Sequence, residues 1–304
     1  MLIDPLRIFV TVAKEKSFSR AADELYLSQP GVSMQIRNLE NEFGARLINR
    51  SSKHVELTQA GEILYKHAYN ILRRYNQAVE EINLIRNVVS GTLKIGASFT
   101  IGEYILPKVL AQTATKYPAV DIVVTIANTE EIVQALRINH LDVGIVEGQV
   151  NPADCAMEPF MEDEMVLIVP NEHPLKQKTA VKPEDLQDLI WILRENGSGT
   201  RAFSDHLIKS LGLTVKKTYV FSSHQGVKEA VSYGLGIAIV SRLIVQSELT
   251  AGKLGSVKIE SEKVNLSRQF LILRHKEFFS SKTMEVFFEE LNTVTEKADN
   301  SVHF

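Results

Sequence analysis

A single cysteine in 304 residues cannot close an internal disulfide, so the chain needs no oxidising compartment. No apolar run approaches the ~20 residues of a membrane-spanning helix, and no membrane role is expected. The opening Met1–Arg7 lacks the basic-then-apolar layout of a secretory signal, which points to a soluble cytoplasmic protein. Nine prolines and 16 glycines are too few for a collagen-like or low-complexity chain. The eight histidines show no metal-ligand spacing, so neither a metal nor a cofactor is expected. Gly197-Ser198-Gly199 is not a nucleophile elbow, and no nucleophile, base or metal constellation marks an enzyme.

What is present suits a packed protein of two or three domains: 44% of the residues are hydrophobic. The net charge of −3 argues against a chain coated in nucleic acid. Its distribution is uneven. Residues 1–90 hold 12 basic and 10 acidic side chains, whereas the remainder holds 22 and 27. Any phosphate-facing surface is therefore expected in the N-terminal segment.

That segment reads as short helices with tight turns. Leu6, Phe9, Val10 and Ala13 recur at a helical period, Ser17 or Ser19 can cap a second helix, and Ser28 can cap a third that ends at Gly44. Two β-like pieces around Ser51-Ser52-Lys53 form a wing. From Thr58 to about Arg86, Leu64, Ala68, Ile71, Tyr75, Ala78, Ile82 and Ile85 are spaced 4-3-4-3-4-3, a heptad seam suited to pairing two helices. Beyond Gly91, strand-like runs (Thr92–Ala97, Ile122–Ile126, Val143–Val146, Met165–Val169, Ile237–Val240) alternate with helical stretches. A mainly parallel sheet covered by helices is expected, in two units joined near Asp163–Glu164 and Leu266–Arg268.

The second and third helices make a helix-turn-helix candidate. Val32, Ile36 and Leu39 share one face, leaving Ser28, Gln29, Ser33, Gln35 and Arg37 for others. Short polar groups near a helix N-terminus suit the major groove, where Gln can pair adenine twice. An ordinary three-helix unit with a solvated face is the alternative.

These residues resemble the LysR-type transcriptional regulators. The resemblance is carried by Phe9, Ser17-Phe18-Ser19-Arg20-Ala21-Ala22, Leu27-Ser28-Gln29-Pro30-Gly31-Val32-Ser33, Gln35-Ile36, Leu39-Glu40, Leu47, Arg50 and Leu57-Thr58-Gln59-Ala60-Gly61. It implies an α/β fold class with an N-terminal winged helix-turn-helix (1–58), a linker helix (59–90) and a two-lobed effector domain like periplasmic binding proteins. The lobes are expected at 91–163 with 266–304, and at 164–265. It implies DNA contacts at Gln29, Pro30, Ser33 and Arg50, with Thr58 near the backbone; Lys53 in the wing joins them as a candidate. Met34 stands where one common variant has Arg, which shifts the expected base preference toward thymine methyls. Implied partners are a double-stranded operator with an interrupted inverted repeat and a second copy, as homodimer or homotetramer, with RNA polymerase a further candidate. Ser98-Phe99-Thr100-Ile101-Gly102, Gly144–Gly148 and Asn196–Arg201 are similar to the sulfur-metabolism and carbon-fixation branch of that family.

An effector site is read from hydroxyls at helix starts: Ser98 and Thr100 with Ile101, then Ser198, Gly199 and Thr200 with Arg201, then Ser223 with His224. In open α/β sheets ligands bind beyond the carboxyl ends of strands, where helix N-termini supply amides, so a small anion is expected. Ordinary capping is the alternative at any one of them. Glu147 ends a strand and could face the same crevice. There it would share a proton, pair with Arg201 or a ligand amine, or else lie solvated in a loop. A small-solute binding protein without a transcriptional role is the runner-up reading.

Overall fold

The structure, a computed structural model, describes residues 3–50, 55–85, 88–148, 150, 152–261, 265–276 and 281–299. The chain forms two compact units, Met1–Gly91 and Thr92–Phe304.

In the first unit the order is α1 (Asp4–Glu15), α2 (Phe18–Glu24), α3 (Gln29–Phe43), β1 (Ile48–Arg50), β2 (Val55–Leu57) and α4 (Gln59–Leu84). Three of the four helices start at a hydroxyl cap: Ser17, Ser28 and Thr58 accept from the amides of Arg20, Gly31 and Gly61. Phe9, Ala21, Ala22, Val32, Ile36 and Leu39 close one core, and the two alanines leave room for α2 to lie close against its neighbours. Glu40 Oε1 accepts from the amides of Leu47 and Ile48 at 3.0 and 3.3 Å, tying α3 to the wing strand. The wing is antiparallel, with Ile48 opposite Leu57.

The heptad seam on α4 does not act as one surface. Leu64 and Ala68 are buried in the unit's own core, because α1 packs on the first half of α4. Ile71, Tyr75, Ala78, Ile82 and Ile85 remain exposed, Ile85 at 83%.

The second unit runs β3 (Gly91–Ser98), α5 (Phe99–Tyr104), α6 (Leu106–Lys116), β4 (Val120–Ala127), α7 (Thr129–Arg137), β5 (Val143–Glu147), β6 (Cys155–Pro170), β7 (Ile190–Arg194), α8 (Gly199–Ser210), β8 (Lys217–Phe221), α9 (His224–Ser232), β9 (Ala238–Ser241), α10 (Arg242–Thr250), β10 (Leu254–Val257), β11 (Ser267–His275) and α11 (Lys282–Asp299). The stretch between β3 and β4 forms two helices rather than one, because Pro107 lacks an amide donor and restricts the residue before it.

The expectation of a mainly parallel sheet is corrected. The sheet order is β10-β6-β11-β5-β3-β4, with β9 also on β6. β3 and β5 are parallel, and so are β7 and β8 in a separate pair, but β11 is antiparallel to both β5 and β6, and β6 is antiparallel to β9 and β10. The reason is the passage between the lobes. β6 leaves the first lobe and β11 returns to it, so the two strands run oppositely and need no crossover helix. Each lobe has its own core. Leu93, Ile95, Ile145, Phe270, Phe287 and Leu291 fill the first, and Leu167, Trp191, Leu193, Leu207 and Ile239 fill the second. Each such side chain contributes about 1.5–3 kcal/mol on burial.

Candidate functional site

Two places collect functional side chains. In the first unit, Ser28, Gln29 and Pro30 are exposed at the start of α3, and Arg37 is exposed further along. Gln29 Nε2 donates to Ser33 Oγ at 3.0 Å, so these two polar groups stand on one helical face. Gln35 is half-buried and Met34 exposed. Thr58 is occupied internally: Oγ1 caps α4 and donates to the Arg46 carbonyl at 2.6 Å. Arg50 lies in β1. Lys53 and the side chain of Arg50 lie outside the described residues.

In the second unit, β3, β5 and β7 end close to the starts of α5, α8 and α9. The polar groups there are buried. Ser98 Oγ donates to Glu147 Oε2 at 3.1 Å, and Thr200 Oγ1 donates to Glu147 Oε1 at 3.2 Å. Arg268 Nη2 lies 3.4 Å from Glu147 Oε2. The same guanidinium donates to Thr200 Oγ1 at 3.1 Å and to Thr100 Oγ1 at 3.4 Å, and its Nε meets Asp163 Oδ2 at 2.7 Å. Ser241 Oγ donates to the other Asp163 oxygen at 2.5 Å. One buried cation thus touches hydroxyls from both lobes and two carboxylates.

Of the alternatives open to Glu147, the pairing with Arg201 does not form. Arg201 turns onto its own helix, with Nε 2.9–3.0 Å from Asp205 and Nη1 3.0 Å from the Arg194 carbonyl. An i,i+4 carboxylate is nearer than the crevice for a side chain at a helix start. Nor is Glu147 a solvated loop residue; it is buried. Ile101 packs into the first-lobe core rather than the crevice wall. Ser223 is exposed and caps α9 by accepting from the Gly226 amide at 3.1 Å. Ser198 is buried and makes no cap bond to its helix. Gly199 is required by close approach, since a Cβ there would fall 2.3 Å from the Glu147 carbonyl oxygen.

A cleft of about 440 Å³ opens beside these groups, lined by Thr129, Glu130, Glu147, Ser198, Gly199 and Arg201 among others. On another side of Thr100 sits His224, whose Nε2 is 3.2 Å from Thr100 Oγ1. Burial, reinforced by the positive charges of Arg194, Arg268 and Lys228, holds this imidazole well below its usual range. Burial also pushes the Asp163 carboxyl up, against the opposing pull of Arg268 and Ser241. Among the described residues no group of three or more His, Cys, Asp or Glu is arranged around a metal position, and no helix is long and apolar enough to cross a membrane.

Sequence reasoning missed Asp163, Arg194, Ser241 and Arg268 as site residues. The available signal was a charge flanking an apolar strand: Asp163 before Met165–Val169, Arg194 after Trp191–Leu193, and Arg268 before Gln269–Leu273.

Comparison with known proteins gives consistent matches along the chain. The LysR substrate binding domain matches residues 86–296, and the lysR family of bacterial regulatory helix-turn-helix proteins matches residues 3–62. The HTH-type transcriptional regulator CysL of Bacillus subtilis is 42% identical over 293 residues, covering 96% of this chain and 97% of its own. Full-length OxyR of Pseudomonas aeruginosa superposes with a TM-score of 0.78 at 26% identity, covering 97% of this chain and 96% of its own. The regulatory domain of CcmR from Synechocystis, solved in complex with 2-PG, covers 68% of this chain and 98% of its own, with a TM-score of 0.63 and 26% identity.

Proposed function

The chain belongs to the LysR family of transcriptional regulators, and from that premise we propose that its DNA binding is set by a small anion held between the two α/β lobes. It is a DNA-binding regulator with an effector-binding domain, and its matched relatives are named as regulators rather than enzymes. The finer reading rests above all on Arg268: a buried guanidinium within 3.4 Å of hydroxyls from both lobes. Such a group favours oxyanions, and the starts of α8 and α9 add amide dipoles of the same sign. Ser98, Thr100, Ser198, Thr200 and Ser223 are the proposed donors. Glu147 supports the same chemistry, because its carboxylate now occupies the position that Ser98, Thr200 and Arg268 surround. The side chain stands in for the oxyanion, and a ligand seated there displaces it.

A sulfur oxyanion such as sulfite or sulfate comes first, on the similarity to the sulfur-metabolism branch. A small carboxylate or phosphorylated metabolite comes second; the Synechocystis relative holds 2-PG. The operator is read as an interrupted inverted repeat, contacted by Ser28, Gln29, Pro30, Ser33, Gln35 and Arg37, with Arg50, Lys53 and Thr58 flanking. The exposed part of α4 serves pairing into a homodimer or homotetramer, in the cytoplasm, with RNA polymerase as a further partner. Calorimetric titration with sulfur oxyanions, phosphate and small carboxylates tests the effector reading. Binding that weakens about 10- to 100-fold in Thr100→Ala and Thr200→Ala supports it, and absence of heat with every anion overturns it.

A further inference from the structure

The hydroxyls nearest the crevice centre are already engaged, and the free donors lie elsewhere. Thr100 Oγ1 accepts from Arg268 Nη2, which leaves its own proton free to donate to His224 Nε2, 3.2 Å away. A neutral imidazole that accepts at Nε2 carries its proton on Nδ1. That Nδ1 is buried and has no hydrogen-bond partner. Arg194 shows the same feature close by. Its Nε and Nη2 bond Glu195 at 2.8 and 2.9 Å, and Nη2 also reaches the Ser222 carbonyl at 3.3 Å, but the buried Nη1 has no partner. Both residues are 1% exposed. They flank one ring: the Arg194 guanidinium lies 4.8 Å from the Phe99 centroid, and the His224 ring meets Phe99 edge-on at 6.3 Å. His224 is also the first residue of α9, a nine-residue helix.

Buried donors are normally satisfied, and two orphans beside one aromatic ring at a helix start are not explained by capping. Phe99 belongs to the first lobe, and Arg194 and His224 to the second, so the three meet where the lobes face each other. We propose that Arg194 Nη1 and His224 Nδ1 anchor the oxyanion group of the effector, at the start of α9 and against Phe99. This deepens the anion reading above and rests on it. The recognised chemistry is an oxyanion, whether inorganic or the carboxylate or phosphate of a small metabolite. Arg194 supplies the charge, and His224 a neutral donor that does not compete for a proton.

The test uses the full-length protein and the fluorescence of Trp191, the only tryptophan and three residues from Arg194. Sulfate, sulfite, phosphate and small carboxylates are titrated into wild type, Arg194→Met and His224→Phe, the latter keeping a ring against Phe99. Binding weakened at least about tenfold in both variants for whichever oxyanion wild type binds supports the anchor, and the preferred ion separates inorganic from organic sources. Variant affinities within about twofold of wild type overturn the anchor and leave the anion reading standing. If wild type binds no anion, both fall. Should Arg194→Met fail to fold, wild type labelled with ¹⁵N-histidine decides: the Nδ1 resonance absent from His224→Phe must shift on saturation with the bound oxyanion, and an unmoved resonance overturns the proposal.

Discussion

Arg268 and Asp163 face each other across the two strands that link the lobes, with Nε 2.7 Å from Oδ2. Both side chains are buried, so the pair is held by desolvated charge rather than by a solvated surface contact. Arg268→Met should leave Asp163 and Glu147 without their shared cation and cost about 3–5 kcal/mol at neutral pH. Burial already pushes Asp163 up, and losing Arg268 pushes it further. An acid whose folded pKa exceeds its unfolded value burdens the fold above the unfolded pKa, and the burden fades as pH falls through the folded one. The deficit of Arg268→Met against wild type should therefore shrink on acidification. Urea unfolding of both proteins over the acid-to-neutral range checks this; a deficit constant with pH means that the loss is one of packing.

The first unit was the more legible from sequence. Its signals are local: Ser28 three residues before Gly31, Gly44 closing α3, and Val32, Ile36 and Leu39 at helical spacing. In the second unit the apolar runs marked strands such as Val143–Glu147, but partners could not be read from them. Arg268 meets Asp163 across 105 residues, and no local pattern encodes that separation. Arg201 looked like the crevice cation because it begins a helix, yet Asp205 one turn away holds it. The short strand β8 was not foreseen: only Tyr219 and Phe221 are half-buried, and its apolar run is just three residues long.

His224 carries a second pH signature. Burial, then the charges of Arg194, Arg268 and Lys228, depress its pKa well below the ordinary 6.5. A base with a depressed folded pKa costs nothing above 6.5, where both states are neutral. Below it the unfolded chain binds the extra proton, and stability falls by up to about 1.4 kcal/mol per pH unit. His224→Gln, which cannot titrate, should lose less stability than wild type as pH drops below 6.5. Parallel melting curves read the difference, and identical slopes would show that His224 is not held neutral.

On DNA, the exposed Gln29 stands beside Ser33 at the start of α3. Gln29→Ala should cost roughly 1–3 kcal/mol and relax preference at one base pair per half-site. Binding to a panel of single-base operator variants measures this. Equal weakening on every sequence would instead make Gln29 a backbone contact.

Pairing through α4 is expected to use its exposed half. Ile71 is 47% and Ile82 57% exposed, whereas Leu64 and Ala68 serve the core of their own unit. Ile71→Asp with Ile82→Asp would bury unpaired charge in a pairing surface without disturbing that core. Sedimentation should show loss of the pairing built on α4, and a full operator should no longer be shifted at wild-type concentrations. A double variant that assembles and binds as wild type does would rule the surface out.

The most direct measurement is binding of the full-length protein to labelled DNA from upstream of its own and neighbouring genes, with and without each oxyanion at constant ionic strength. The expected result is a site bound at least ~10³-fold more tightly than scrambled DNA, with an affinity or footprint that one oxyanion changes in wild type. A binding curve and footprint that no oxyanion alters, on a site the protein demonstrably prefers, would contradict control by an anion.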